Sequence, residues 1–218
     1  MGPGENILES EPILTKKLSM SRETLRKAIS ELSQEGLISR WHGKGNFGHP
    51  AVSRLPMRFD LNSNFRLLLE KAGFKVLSTR TNWQETAVPE ALAKRAPDQT
   101  EAHFIQFQQY FTADGQLSII SDVYINQRHL MVYPEAGVYQ DNIDNFFQTH
   151  CTMKSEYVVA WPKAEVNHQV AGEFNLPLDT PMLSWEEIYY NINDEIMGLI
   201  EVHFNPHIMD LSMLLHFS

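Results

Sequence analysis

Cysteine is almost missing from this chain: its 218 residues include one, Cys151. A lone cysteine excludes an internal disulfide and any multi-cysteine zinc or iron–sulfur site. Long apolar runs are missing too. None approaches the ~20 residues of a membrane span. The start, Met1-Gly2-Pro3-Gly4-Glu5, has neither the basic beginning nor the apolar stretch of a secretory signal. No membrane partner is expected, and the chain reads as cytoplasmic. A phosphate-cradling GxxxxGKS/T loop is absent, because Gly43-Lys44 runs into Gly45 and the residue five before Gly43 is Ile38. There is no HExxH. His203 and His207 are four apart, but Pro206 spoils a shared helical face, so no metal site is expected. Cys151 sits beside His150, yet a nucleophilic dyad needs spatial geometry that adjacency does not give. Glu186-Glu187 and Asp194-Glu195 read as strand-face and turn charges rather than paired catalytic acids. No catalytic residue and no cofactor are expected.

Positive charge is scarce as well. Eighteen Lys and Arg face 27 Asp and Glu, a formal net charge of −9. That excludes broad, unspecific coating of nucleic acid, which needs local positive charge. The deficit is uneven. Residues 1–50 carry seven basic and six acidic residues, and Thr15–Lys27 holds five basic against one acidic. The rest of the chain carries 11 basic and 21 acidic. A small DNA-reading module attached to an acidic body is compatible with this pattern. Hydrophobic residues at 43% and aromatics at 11% are enough for a core. The stretch from His49 to Pro56, with two prolines and no periodic pattern, reads as a connector. The spacing predicts a DNA-binding module over 1–49, a linker over 50–58 and a body over 59–218.

In the module, Ser10 can cap a helix that begins at Glu11-Pro12, where proline is tolerated. Ser19-Met20-Ser21 breaks that helix and Ser21 caps the next. Leu25, Ala28, Ile29 and Leu32 recur at helical spacing on one side, and Gly36 is a left-handed stop. Leu37–Trp41 is strand-like, His42-Gly43-Lys44-Gly45 a turn, and Asn46-Phe47 a return strand. Two helices joined by a tight turn and followed by a hairpin make a winged helix. Its second helix would enter the major groove with Arg22 and Arg26 toward bases or phosphate, and Lys44 at the hairpin tip suits phosphate or the minor groove.

These residues resemble a known family. Ser10-Glu11 to Leu14, then Ser21-Arg22, Thr24, Leu25-Arg26 and Ala28, then Leu32 with Glu35-Gly36-Leu37-Ile38, then Gly43-Lys44-Gly45-Asn46-Phe47 follow the pattern S-E-x-x-L, S-R-x-T-V/L-R-x-A, L-x-x-E-G-L-V/I, G-x-G-T-F. That is the winged helix of GntR-family bacterial transcription regulators. The resemblance implies operator contacts from Ser10, Ser21, Arg22, Thr24, Arg26, Lys27, Arg40, Gly43, Lys44 and Gly45. Asn46 replaces the usual threonine and Gly48 the usual apolar residue. The family carries a further helix before the Pro3-Gly4 turn. The chain begins at that turn, so the apolar stripe of Leu14, Leu25 and Ile29 is expected to be partly uncovered and the module weakened.

The body alternates helix and strand signals: helices over Asn64–Lys71, Pro89–Arg95, Gln140–His150 and Val170–Phe174, strands over Phe74–Thr81, Phe104–Thr112, Leu117–Ile125, Tyr157–Asn167, Met182–Ile192, Ile196–Phe204 and Asp210–Phe217. Asp114-Gly115 is a hairpin turn. The expected fold class is α+β, an antiparallel sheet with helices on one side. The order, with Phe107 to Gly115, Ala171 to Leu183 and Tyr190 to Glu201, resembles the UTRA effector domain of the HutC subfamily, a chorismate-lyase-like fold. The resemblance implies a homodimer that binds double-stranded operator DNA and a small-molecule effector, acting as a repressor. It puts the effector site at Gln109, Phe111, Ser121, Tyr124, Gly198, Glu201 and Phe204. The family's pocket arginines fall on Gln109 and Phe111, its glutamate near Gly198 or Glu201, and its tyrosine near Phe204. Without those arginines, neutral, aromatic or cationic effectors rank first. Tyr110, Phe111 and Tyr124 either offer faces to such a ligand or are plain sheet packing. Two other readings stand beside this one: a metabolite-binding dimer whose head does not read DNA, and an enzyme on the chorismate-lyase-like scaffold.

Overall fold

The computed structural model describes residues 6–61, 64–97, 102–138 and 142–215. The chain divides into two compact units, Met1–Ser63 with Leu211–Ser218, and Asn64–Asp210. It therefore passes between them twice.

The first unit opens with α1 (Glu11–Leu18), with Pro12 in its first turn and Ser19 closing it in left-handed conformation, φ 53°. Helix α2 (Arg22–Gln34) follows two residues later. The Ser21 hydroxyl accepts from Thr24 N at 3.1 Å, which supplies one of the orphan donors of the first turn. At the other end Leu37 N donates to Leu32 O and Gly36 N to Ser33 O, a Schellman stop that needs the positive φ of Gly36. Strands β1 (Ile38–Trp41) and β2 (Gly45–Gly48) pair antiparallel around a turn with Gly43 at φ 75° and Gly45 at φ 107°. Residues 6–8 add a rung to this wing, through Gly48 N to Asn6 O, Leu8 N to Asn46 O and an Ile7–Phe47 bridge.

Leu25 and Ile29 are buried, 4% and 2% exposed, with Ile38. The expectation of a partly uncovered stripe over Leu14, Leu25 and Ile29 thus fails at Leu25 and Ile29, while Leu14 is only half-buried. The exposed large apolar side chains of the winged helix are Ile7, Ile13, Leu18, Leu32 and Trp41, and Leu55, Leu61, Met213 and Leu215 are exposed elsewhere in this unit. Residues 50–58 are not a plain extended tether either. Val52–Arg54 form a 3-10 turn, and Met57 and Arg58 are buried.

The second unit contains α3 (Phe65–Lys71), β3 (Val76–Arg80), β4 (Gln84–Thr86), α4 (Glu90–Arg95), β5 (Phe104–Ala113), β6 (Gln116–Asn126), β7 (Gly137–Val138), α5 (Ile143–His150), β8 (Tyr157–Val166), α6 (His168–Glu173), β9 (Pro181–Tyr190) and β10 (Ile196–Phe204). The strands form one antiparallel sheet in the order β7-β3-β5-β6-β10-β9-β8, with β4 also on β5. Asn64, Asn142 and Asn167 cap α3, α5 and α6 through their side-chain oxygens. Strand β8 is a sheet edge, and its register runs unbroken through Pro162, a residue tolerated where no neighbouring strand needs its N–H.

Directly paired residues of neighbouring strands share a face. Phe111, Trp185 and Phe204 surround Phe65 of α3, and Phe107 and Tyr189 meet Phe146 and Phe147 of α5, on one face. On the other, Ala91 and Leu92 of α4 pack with Phe104, Ile188 and Leu199, and Val170, Ala171 and Phe174 of α6 pack with Ile120 and Met182. Helices thus cover both faces, not one, because Phe104, Ile188 and Leu199 give α4 an apolar seat on the second face, and Ile120 and Met182 give one to α6. The expected closing strand over Asp210–Phe217 does not form within the described residues. Ser212 makes only an isolated parallel bridge to Arg58, and residues 216–218 lie outside the described part. The expected helix from Gln140 begins at Ile143, residues 140 and 141 also lying outside the described part.

Candidate functional site

Two groups of side chains are the candidates for functional chemistry. The first is on the head. Ser21, Arg22, Thr24, Arg26 and Lys27 lie on the exposed first turns of α2, while Arg40, Gly43, Lys44 and Gly45 are exposed on the wing. Ser10 is at the start of α1 and makes no side-chain cap. Ser21 and Thr24 are joined by their hydroxyls at 2.8 Å, so both are committed to the helix start. Glu11 gathers two arginines from different elements: Arg26 Nε donates to its Oε2 at 2.9 Å, and Arg40 Nη2 stands 3.8 Å from Oε1. These ion pairs are largely exposed and worth little stability, but they aim both guanidiniums from one side of the head. On the wing, the Lys44 ammonium lies 4.8 Å from the Trp41 ring, which meets Phe47 edge-on.

The second group is on the sheet. Of the seven expected effector residues, Gln109, Phe111, Ser121, Gly198 and Phe204 share the face that α3 and α5 cover. Tyr124 and Glu201 are on the opposite face, where the Tyr124 hydroxyl reaches Glu201 Oε2 at 3.4 Å and accepts from Gln106 Nε2 at 3.2 Å. A two-residue strand period separates them from the rest. Phe111 and Phe204 are core, wedged on Phe65 at 5.9 and 5.7 Å between ring centres. Gly198 lets β10 lie close against β6, since a Cβ there would stand 2.5 Å from Tyr124 O.

Gln109 and Ser121 remain, and they are direct partners across β5 and β6. They are 3% and 1% exposed, and Gln109 Nε2 and Ser121 Oγ have no hydrogen-bond partner. Two orphaned polar atoms side by side in a core cost free energy unless something binds them. Sequence reasoning missed two neighbours on this face. Arg80 of β3 is paired with Gln109 and 8% exposed, its guanidinium 5.0 and 5.2 Å from the Phe107 and Phe146 rings. Glu187 of β9 is 4% exposed and accepts from the Tyr189 hydroxyl at 2.7 Å. Burial pushes its carboxyl up to about 7, against the pull of hydrogen bonds from Tyr189 and Trp185. Ser78 and Arg80 alternate along β3, the one sequence signal that could have placed Arg80 on this face.

Residues 3–47 match the family of bacterial regulatory proteins, gntR family. That match lies within the winged-helix head. Over 128 residues the chain is 27% identical to the HTH-type transcriptional regulator TreR of Bacillus subtilis (strain 168), a match covering 58% of this chain and 52% of TreR. The match thus spans about half the length of that relative. YydK from Bacillus subtilis subsp. subtilis str. 168 superposes with a TM-score of 0.71 at 17% identity, over 98% of this chain and 90% of YydK. The effector domain of PhnF from Mycobacterium smegmatis superposes with a TM-score of 0.55 at 13% identity, over 69% of this chain and 93% of that domain. At such identities the structures share the fold: a winged helix and an antiparallel-sheet α+β unit.

The remaining chemistry is quiet. Cys151 is buried, and burial pushes its thiol up to about 12, which leaves it unreactive. His203 Nε2 lies 3.1 Å from Glu165, while His207 is exposed in a turn. Among the described residues no group of three or more His, Cys, Asp and Glu could hold a metal ion, and no helix is long and apolar enough to cross a membrane.

Proposed function

We propose that this chain is a one-component transcription regulator of the HutC type, a repressor whose head reads operator DNA under the control of a small molecule. The winged-helix head carries this reading: a capped helix with Arg22, Arg26 and Lys27 exposed, and a glycine-turned wing presenting Lys44. We assign DNA binding to residues 1–49, connection to 50–58, and effector binding and dimerisation to 59–218, the UTRA-type part. Two heads of a homodimer take the two halves of a palindromic operator.

The effector seat is the Gln109–Ser121 pair with Arg80 beside it. Both unpartnered atoms are satisfied by a ligand that accepts from the Gln109 amide and bonds the Ser121 hydroxyl. Arg80 returns a cation to a row from which the expected arginines are missing, so an effector with a carboxylate or carbonyl end fits better than a cationic one. Ser121 Oγ has no base within hydrogen-bond reach, which argues for binding rather than nucleophilic turnover. Effector binding shifts the population between DNA-competent and incompetent dimers. The protein works in the cytoplasm and needs no cofactor.

Selection of duplex DNA from a random pool at fixed salt tests this reading. The expected result is an enriched palindrome. Arg22→Ala and Arg26→Ala should each weaken binding, and a lost phosphate contact should lower the log–log salt slope by about 1. A folded chain that enriches no sequence even at low salt overturns it.

A further inference from the structure

The C-terminal end of α2 is held from outside the winged helix. The Schellman bonds use the carbonyls of Leu32 and Ser33 and leave that of Glu35. Arg58 supplies its donor, Nη1 to Glu35 O at 2.6 Å. The guanidinium is 9% exposed and forked on Asp60, with Nε to Oδ1 at 3.2 Å and Nη2 to Oδ2 at 2.5 Å. A cation at this place also faces the negative end of the helix dipole. Burial pushes the Asp60 carboxyl up, but Arg58 and the backbone N–H groups of Leu214 and Asp60 outweigh it and hold the group below the usual carboxylate range.

Leu214 belongs to the segment that returns from the body. That segment is zipped to the residues around Arg58. Ser212 N donates to Met57 O and Phe59 N donates to Ser212 O, each at 3.1 Å. Arg58 and Ser212 form a parallel bridge, and Ser212 Oγ bonds Pro56 O. Met57 is held left-handed at φ 38°, a conformation that a non-glycine keeps only where its surroundings enforce it. Along the chain this segment follows β10, which carries Gly198 and Phe204 on the effector face.

We propose that Leu211–Leu215 is a strap that holds Arg58 on the end of the recognition helix. Arg58 is then a positioning residue for DNA binding, and the strap is the covalent route by which β10 reaches α2. The DNA part rests on the regulatory reading above; the strap itself does not.

The test compares the full chain with Arg58→Met, Arg58→Lys and Ser212→Pro. The last removes a donor and the bridge while leaving the Arg58 side chain in place. Hydrogen exchange resolved by peptide reports the last turn of α2 through Leu37, with peptides of β5, β6 and β10 as the control for the body. Affinity for the duplex selected by the wild-type chain is the second readout. Arg58→Met and Ser212→Pro should each speed exchange at the end of α2 by about tenfold while leaving the control peptides unchanged. Each should weaken DNA binding by about tenfold, Arg58→Lys less, and the double variant no more than Arg58→Met alone. Unchanged α2 exchange in Ser212→Pro overturns the strap. Losses that multiply in the double variant, or faster exchange with unchanged DNA affinity, overturn the positioning role. A wild-type chain that selects no DNA sinks the regulatory reading, while the exchange data still decide the strap.

Discussion

Glu187 is a carboxyl that folding takes out of water, and its effect on stability has a definite sign. Its folded-state value of about 7 lies above the ordinary 4.5. Between those values the folded chain holds a proton that the unfolded chain has lost, so stability falls as pH rises through that window. The full span is worth roughly 3 kcal/mol. Glu187→Gln should therefore stabilise the body by about 1–3 kcal/mol at pH 8 and change little at pH 4.5, as read from urea midpoints at the two pH values. A variant equally destabilised at both would show that the carboxylate is held by something stronger than two hydrogen bonds. Gly198 is the opposite case, a residue fixed by contact rather than charge. A methyl group there meets backbone, which cannot swing aside. Gly198→Ala should cost about 1–3 kcal/mol and open the pairing of β10 with β6, seen as faster exchange of both strands. A neutral Gly198→Ala would place the strands further apart than described.

Elements were legible where one period dominates. The α2 stripe of Leu25 and Ile29, its Ser21 cap and its Gly36 stop could all be read locally, because each depends on neighbours within a few residues. Strands β5 and β6 were equally legible around Asp114-Gly115. Which of the expected effector residues share a face was not, since the face on which Tyr124 falls depends on register, and register is fixed by pairing with distant strands. The two-residue β7 and three-residue β4 are too short to show a pattern and exist only because β3 and β5 offer partners. The orphaned row also makes a prediction. Gln109→Met with Ser121→Ala replaces both unpartnered groups with apolar ones of similar or smaller size. The pair should leave stability unchanged or raise it by about 1–2 kcal/mol while removing effector response. A loss of stability beyond 2 kcal/mol would mean that the native pair is satisfied within the protein.

At the scale of the molecule, the two units differ in how much holds them. The body has an eight-stranded sheet with packed side chains on both faces. Among the described residues the first unit buries few large side chains, chiefly Leu25, Ile29, Ile38 and Met57, and leaves nine others exposed. Hydrogen exchange should show β5, β6 and β10 as the slowest amides, with α1 and the wing exchanging at least tenfold faster. Equal protection of both units would mean that they unfold together.

The sequence by itself determined the winged-helix head, the α+β class of the body and the exposed basic side chains we propose for DNA contact, because caps, glycine stops and hydrophobic period are local. Only the tertiary structure decided that Arg80 stands beside Gln109, that Tyr124 and Glu201 turn away, and that Ser212 pairs beside Arg58 at the end of α2. Those facts come from strand pairing and chain return over long separations, which no local spacing encodes.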